Sequence, residues 1–108
     1  MTGQAALVTG SSRGIGLGAA IELAKKGFAI ALNAPIADDE LKAAFSQIEA
    51  YGVPVVAAAF DVTDIANHNV HISEIESAIG PLTTLVNNAG VGVLQRGDIL
   101  EVSEESYD

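Results

Sequence analysis

The stretch TGSSRGIG, Thr9–Gly16, follows directly on the apolar run AALV and places three glycines and two serines around one arginine. Glycine adopts backbone conformations that are costly for other residues, and it leaves room for another group to approach the main chain. The stretch therefore predicts a tight turn from a buried strand into a helix, at a point where the backbone is open to close contact.

Apolar runs alternate with segments of helical periodicity along the rest of the chain. Apolar runs without strict polar alternation predict strands buried on both faces, and strands separated by helices pair in parallel through right-handed crossovers. The sequence thus predicts an α/β fold with a doubly wound parallel sheet of the Rossmann type and strand order 3-2-1-4. The predicted strands are ALVT (6–9), FAIALN (28–33), PVVAAAF (54–60) and TTLVN (83–87), and the predicted helices cover 14–26, the stretch between Asp38 and Gly52, and Thr63 or Asp64 to Ile79.

The predicted sheet is incomplete in the visible part. The fourth strand has no predicted successor to cover its far edge, which predicts that the chain aggregates. Ser103 is typical of a helix N-cap, with Glu104 and Glu105 in a first turn just before the sequence ends. We therefore interpret residues 1–108 as the N-terminal part of one domain.

Composition and charge exclude several classes of protein. No apolar run approaches the roughly 20 residues that span a bilayer, and the start lacks the features of a secretory signal, so we expect a soluble, cytoplasmic protein. Because the chain has no cysteine, it has no cysteine-ligated zinc, and no metal site is expected. The net charge of −9, with only five Lys and Arg, argues against nucleic acid as a partner.

The glycine stretch lies where parallel sheets bind ligands, beyond the carboxyl ends of the strands. Gly10 permits the tight turn, Gly14 lets a ligand approach the backbone, and Gly16 allows close packing of the helix. The free N–H groups of the helix start favour an anion such as a pyrophosphate. No lysine follows the glycines, which argues against a nucleotide triphosphatase. A purely structural glycine-rich turn is the alternative.

Two further motifs follow later strands. FDV (60–62) follows the third predicted strand, and LVNNAG (85–90) runs through the end of the fourth. With TGSSRGIG they resemble, in order and at the expected strand ends, the TGxxxGxG, acidic and NNAG motifs of the short-chain dehydrogenase/reductase family. Within that family the chain is most similar to the 3-oxoacyl-carrier-protein reductase type.

The resemblance implies a nicotinamide dinucleotide as cofactor and a small-molecule carbonyl or alcohol as substrate. It implies that Asp61 accepts a hydrogen bond from the adenine amino group and that Thr9 and Asn87 connect strands one and four. It also implies a homo-oligomer, a dimer or tetramer, for the full-length protein. The implied cofactor-binding residues are Gly10, Ser12, Arg13, Gly14, Ile15, Gly16, Ala34, Asp61, Val62, Asn88, Ala89 and Gly90.

The catalytic residues of the resembling enzymes are absent from this chain. The family uses an Asn, a Ser and a YxxxK pattern, whereas Tyr51 has Val55 four residues later and Tyr107 is followed by one residue. We therefore expect an enzyme as the full-length protein and no turnover from these 108 residues alone. A non-catalytic dinucleotide-binding or regulatory protein, and a fragment without function, remain alternatives.

The sequence also predicts which nicotinamide cofactor is preferred. The second strand ends in Asn33, Ala34 and Pro35, so the acidic residue that would repel a 2′-phosphate is missing. Arg13 supplies a cation that can contact that phosphate. We expect a modest preference for NADP(H) over NAD(H).

Three smaller expectations concern other polar residues. For Ser11, a role in capping the first helix is as consistent with the sequence as a role in binding. His68 and His71 favour solvated or capping roles over metal binding. The acidic residues between Asp98 and Asp108 favour a solvated surface over an interaction tail.

Overall fold

The computed structural model describes residues 3–61, 63–88 and 100–103. Parallel strands alternate with helices throughout these ranges, as the sequence predicts. The strands are β1 (Ala5–Val8), β2 (Ala29–Ala34), β3 (Val55–Ala59), β4 (Thr84–Asn87) and β5 (Leu100–Ser103), and the helices are α1 (Gly14–Lys25), α2 (Asp39–Glu49) and α3 (His68–Ile79).

The strands form one parallel sheet with the order β3-β2-β1-β4-β5. The predicted order 3-2-1-4 is therefore confirmed. The prediction that β4 has an uncovered edge is wrong, because β5 pairs with β4 from Thr84 opposite Leu100 to Asn87 opposite Ser103. Ser103 ends this strand, and the helix expected from Glu104 onward lies outside the described residues.

Two apolar layers hold the helices on opposite faces of the sheet. Alternate residues of β1 point to opposite faces, so that Ala6 and Val8 pack with α1 and α2, whereas Ala5 and Leu7 pack with α3. The side chains of β1 and β2 are all buried, as expected for central strands covered on both faces. The fold is thus doubly wound.

Strand β3 departs from the prediction of a strand buried on both faces. Its side chains are half-buried or exposed, because β3 pairs only with β2 and forms an edge of the described sheet. A short 3-10 turn, Ile65–Asn67, precedes α3, so the regular helix begins later than predicted.

Helix α1 ends as its sequence predicts. Gly27 follows its last turn with a φ of +92° and donates its N–H to the carbonyl of Ala24 at 3.0 Å. Such a left-handed residue after a helix is a common stop signal.

None of the helices in the described parts of the chain has the length and apolar character needed to cross a membrane.

Candidate functional site

The glycine turn, Gly10–Gly16, contains two glycines with left-handed backbones and a third that is tightly packed. Gly10 has a φ of +59° and Gly14 a φ of +64°. A Cβ built on Gly14 has no neighbour within 4 Å, so the space beside it is open. A Cβ on Gly16 would overlap the carbonyl oxygen of Gly10 and lie 2.7 Å from Nδ2 of Asn88. Gly14 therefore leaves space for a ligand, and Gly16 permits close packing of the turn.

Within the part of the chain that the structure describes, helix α1 begins without a side-chain cap on its first N–H groups. Arg13 occupies the N-cap position with an extended backbone and makes no capping hydrogen bond, and the first turn contains no acidic residue. Helix α2 differs, because Oδ1 of Asp38 accepts a hydrogen bond from the N–H of Leu41 at 3.0 Å. The donors and positive dipole end of α1 are thus left for an external anion.

Asn33, at the end of β2, fixes the position of the glycine turn. Its side-chain Oδ1 accepts from the N–H of Gly10 at 3.1 Å, and Nδ2 donates to the carbonyls of Ala58 and Phe60 at 3.2 and 3.1 Å. Asn33 is only 2% exposed. The amide thus connects the turn after β1 to the ends of β2 and β3, a role that the sequence analysis missed.

Ser11 belongs to the same group of buried contacts. Its Oγ accepts from the N–H of Asn33 at 2.8 Å, and its own N–H donates to the carbonyl of Asn33 at 2.8 Å. Of the alternatives left open for Ser11, capping of α1 is not the one observed, because its hydroxyl contacts the backbone of Asn33 in β2. This residue of the turn is thereby fixed to the neighbouring strand.

Thr9, Asn87 and Asn88 connect the ends of β1 and β4. The hydroxyl of Thr9 lies 3.3 Å from Oδ1 of Asn87 and accepts from the N–H of Asn88 at 3.0 Å, which confirms the expected connection. Nδ2 of Asn88 donates to the carbonyl of Gly10 at 3.0 Å. Oδ1 of Asn88 is buried and accepts no hydrogen bond from the described residues. An acceptor is thus held beside the glycine turn.

Asp61, two residues after the end of β3, is exposed, and its carboxylate is hydrogen-bonded. Its Oδ1 accepts from the hydroxyl of Thr63 at 2.6 Å and from the N–H of Thr63 at 2.9 Å. These two bonds, the hydroxyl first, lower the pKa of Asp61 below its ordinary value of 3.8. Because the pKa of the folded form is depressed, the contribution of these bonds to stability is present above the ordinary value and lost as the pH falls through the folded pKa.

The remaining predicted site residues differ in exposure. Arg13 and Ile15 are exposed on the first turn of α1, and Ser12 is half-buried. Ala34 is 2% exposed and packs in the core with α1 and α2. The predicted residues Val62, Ala89 and Gly90 lie outside the described residues.

The two histidines pack within the protein. His68 is 7% exposed, and the ring of His71 stacks on Phe60 with a centroid distance of 4.2 Å. The expectation of a solvated side chain is wrong for His68, which is buried, whereas His71 is half-buried against Phe60. Among the described residues, no cluster of acidic and histidine side chains is arranged to hold a metal ion.

The glycine turn and Asn88 are in contact at the point where the strand order reverses, between β1 and β4. The chain moves outward from β1 to β2 and β3, then crosses to β4 on the other side of β1. The crevice at such a switch point, outside the carboxyl ends of the strands, is where open α/β sheets bind ligands. Gly14 and the start of α1 follow β1, and Asn88 follows β4, so both lie at this edge of the sheet.

Comparison with known proteins agrees with this geometry. The family model described as short chain dehydrogenase matches residues 4–108. The chain belongs to the short-chain dehydrogenase family. It is 41% identical over 108 residues to gluconate 5-dehydrogenase of Gluconobacter oxydans, where the match covers 100% of this chain and 41% of that protein. The chain thus spans about two fifths of the curated relatives it matches.

Two solved structures that resemble the chain contain nicotinamide cofactors. A 3-oxoacyl-[acyl-carrier protein] reductase from Brucella melitensis in complex with NAD superposes with a TM-score of 0.74 and 37% identity, covering 87% of this chain and 36% of that one. A variant of actinorhodin polyketide ketoreductase with NADPH has a TM-score of 0.72 and 31% identity, covering 82% and 33%. Solved structures with either form of the cofactor therefore resemble this fold.

Proposed function

We propose that the full-length protein is a nicotinamide-dependent oxidoreductase and that this chain supplies the part that binds the dinucleotide. The observation that carries the proposal is the open backbone at Gly14, the first residue of the uncapped helix α1, at the switch point of the sheet. A pyrophosphate requires close backbone approach and free N–H donors, and both are present together.

The described residues suit the other parts of a dinucleotide as well. Asp61 keeps an ionised carboxylate that can accept a hydrogen bond from an adenine amino group. Asn88 holds a buried acceptor beside the turn. A bound nicotinamide supplies hydride transfer, and these residues bind and orient it. Proton donation to a carbonyl substrate is assigned to the part of the protein that follows this chain, by resemblance to the family.

Substitution of Gly14 by valine tests the binding site. Gly14→Val places a branched side chain in the open space, and we expect it to weaken NADPH and NADH binding of the full-length protein severely. Because Gly14 has a φ of +64°, the change also strains the backbone by roughly 1 to 2 kcal/mol. Gly27→Val is the matched control, since Gly27 has a φ of +92°, has an equally open Cβ position and lies at the far end of α1.

Fluorescence titration with both cofactors gives the dissociation constants, and thermal unfolding measures how much stability each variant loses through backbone strain. The proposal requires that both variants lose stability while only Gly14→Val loses cofactor affinity. Unchanged affinity in Gly14→Val would mean that the glycine turn is structural only.

NADP(H) is the cofactor that we propose for the full-length enzyme. Arg13 is 79% exposed in its side chain and stands at the start of α1, where a contact to a 2′-phosphate is worth about 1.5 to 3 kcal/mol, or roughly ten- to hundredfold in affinity. Arg13→Ala should lower kcat/KM for NADPH and leave that for NADH nearly unchanged. A wild-type protein that favours NADH contradicts the preference.

Ala34→Asp would supply the acidic residue that the end of the second strand lacks. It is a poorer test, because Ala34 is buried in the core and an aspartate there would also destabilise the fold.

The substrate class follows from the relatives and is a proposal for this protein. We propose a small carbonyl or alcohol compound, with 3-oxoacyl carrier thioesters as the first class to assay, and a cytoplasmic homo-oligomer as the working form. Reduction of such a substrate by the purified full-length protein supports the enzyme. Tight cofactor binding with no turnover on any carbonyl panel favours the non-catalytic alternative.

A further inference from the structure

Arg13, the cation proposed to contact a 2′-phosphate, already has an acidic partner. Its Nη1 lies 3.6 Å from Oε2 of Glu40, in the first turn of α2. The side chains of Arg13 and Glu40 are 79% and 51% exposed, so a ligand can reach both groups. The helix that follows β2 therefore brings a carboxylate to the cation on the helix that follows β1.

The other acidic residues at the start of α2 have different surroundings. Asp38 caps the helix through its bond to the N–H of Leu41. Asp39 is exposed in the first turn, and the structure records no ion pair between Asp39 and any described residue. Glu40 is thus the member of this acidic group whose charge is paired with Arg13.

We propose that Glu40 determines how strongly the protein discriminates NADPH from NADH, by holding Arg13 in an ion pair with which a 2′-phosphate must compete. The inference rests on the proposed dinucleotide function. A phosphate dianion attracts the guanidinium and repels the nearby carboxylate, whereas the 2′-hydroxyl of NADH does neither to a comparable degree. Glu40 therefore lowers the affinity for NADPH and leaves that for NADH unaffected. The same pair keeps the cofactor preference modest.

The size of the effect follows from the exposure of the pair. Exposed ion pairs contribute little, and their loss corresponds to about three- to fivefold in affinity at most. We expect Glu40→Gln to tighten NADPH binding by about that factor. The gain should shrink at high salt, because interactions between exposed charges are screened.

The test compares four variants of the full-length protein with the wild type: Glu40→Gln, Asp39→Asn, Arg13→Ala, and Arg13→Ala combined with Glu40→Gln. Asp39→Asn is the matched control, since it removes the same charge from the same helix turn without touching the ion pair. NADPH and NADH are titrated separately at low and high salt, and circular dichroism checks that each variant is folded.

The inference is supported if Glu40→Gln tightens NADPH more than Asp39→Asn does, leaves NADH unchanged, and gives a clearly smaller gain once Arg13 is alanine. A gain equal to that of Asp39→Asn overturns it, because only the general charge would matter. A gain of undiminished size in the double variant also overturns it, because the ion pair would then not be the cause. Failure of the wild type to bind either dinucleotide refutes the proposed function itself, whereas the two preceding outcomes refute only the role of Glu40.

Discussion

At the scale of single residues, the three glycines of the turn have different physical roles. Gly10 and Gly14 have positive φ angles, which other residues adopt only with strain. Gly16 is not in that region, and its restriction is steric, because its Cβ position is occupied by the Gly10 carbonyl and the Asn88 amide. The motif spacing indicates all three glycines, but the separate reasons become visible only with the neighbours in place.

Gly16→Ala should destabilise the protein although alanine is the better helix former. The added methyl group would overlap the carbonyl of Gly10, and overpacking of this kind costs about 1 to 3 kcal/mol. Gly18→Ala is the control on the same helix, since nothing lies within 4 Å of its Cβ position, and it should stabilise by up to about 1 kcal/mol. Denaturant unfolding of both variants measures the difference. Equal stability of the two would show that the turn relaxes without cost.

At the scale of elements, the sequence predicts the regular core well. Strands β1, β2 and β4 begin and end within a residue of the predicted bounds, because buried apolar runs and flanking glycines are local signals. The exposure of β3 is not local, since an edge strand and a central strand have the same apolar pattern. The strand β5 and its pairing with β4 are likewise invisible in its short sequence, LEVS.

The polar contacts at the strand ends were predicted only in part. The bond between Thr9 and Asn87 was expected from resemblance to the family. In the sequence, Asn33 was noted only because the second strand ends without an acidic residue. Its bonding partners Gly10, Ala58 and Phe60 are 23 to 27 residues away along the chain, so the local sequence does not indicate them. A buried polar residue at a strand end is the signal that could have found it, since such a group requires partners.

Asn33→Ala should destabilise the fold by at least roughly 1 to 3 kcal/mol, the cost of one buried group left unpaired. It removes the acceptor for Gly10 and the donor for two carbonyls of the neighbouring strand end. Asn67→Ala is the control, because that amide makes an exposed bond to Asp64 and should change stability by no more than about 0.5 kcal/mol. Thermal unfolding compares the two. Similar losses would assign no special role to Asn33.

At the scale of the whole molecule, the common direction of the parallel strands places the candidate binding site at one edge of the sheet and Tyr51 at the other. The glycine turn, Asp61 and Asn88 follow β1, β3 and β4, so all lie at the carboxyl edge of the parallel sheet. Tyr51 lies between α2 and β3, which places it at the amino edge, where it is 44% exposed. The one tyrosine within the described residues is thus on the side of the sheet away from the candidate site.

This separation predicts the activity of the 108 residues as an isolated polypeptide. No tyrosine of the described residues lies at the carboxyl edge, and without such a proton donor a bound cofactor and carbonyl lack general-acid catalysis, which contributes typically about 10² to 10⁴-fold. We expect no cofactor-dependent reduction by the purified polypeptide 1–108, measured as NADPH oxidation with a panel of carbonyl compounds. In the full-length protein, Tyr51→Phe should leave kcat/KM unchanged, because that hydroxyl cannot reach a substrate held beyond the opposite edge. Turnover by the isolated polypeptide, or loss of turnover in Tyr51→Phe, would place the proton donor within this chain and contradict the division of roles between its residues and those that follow.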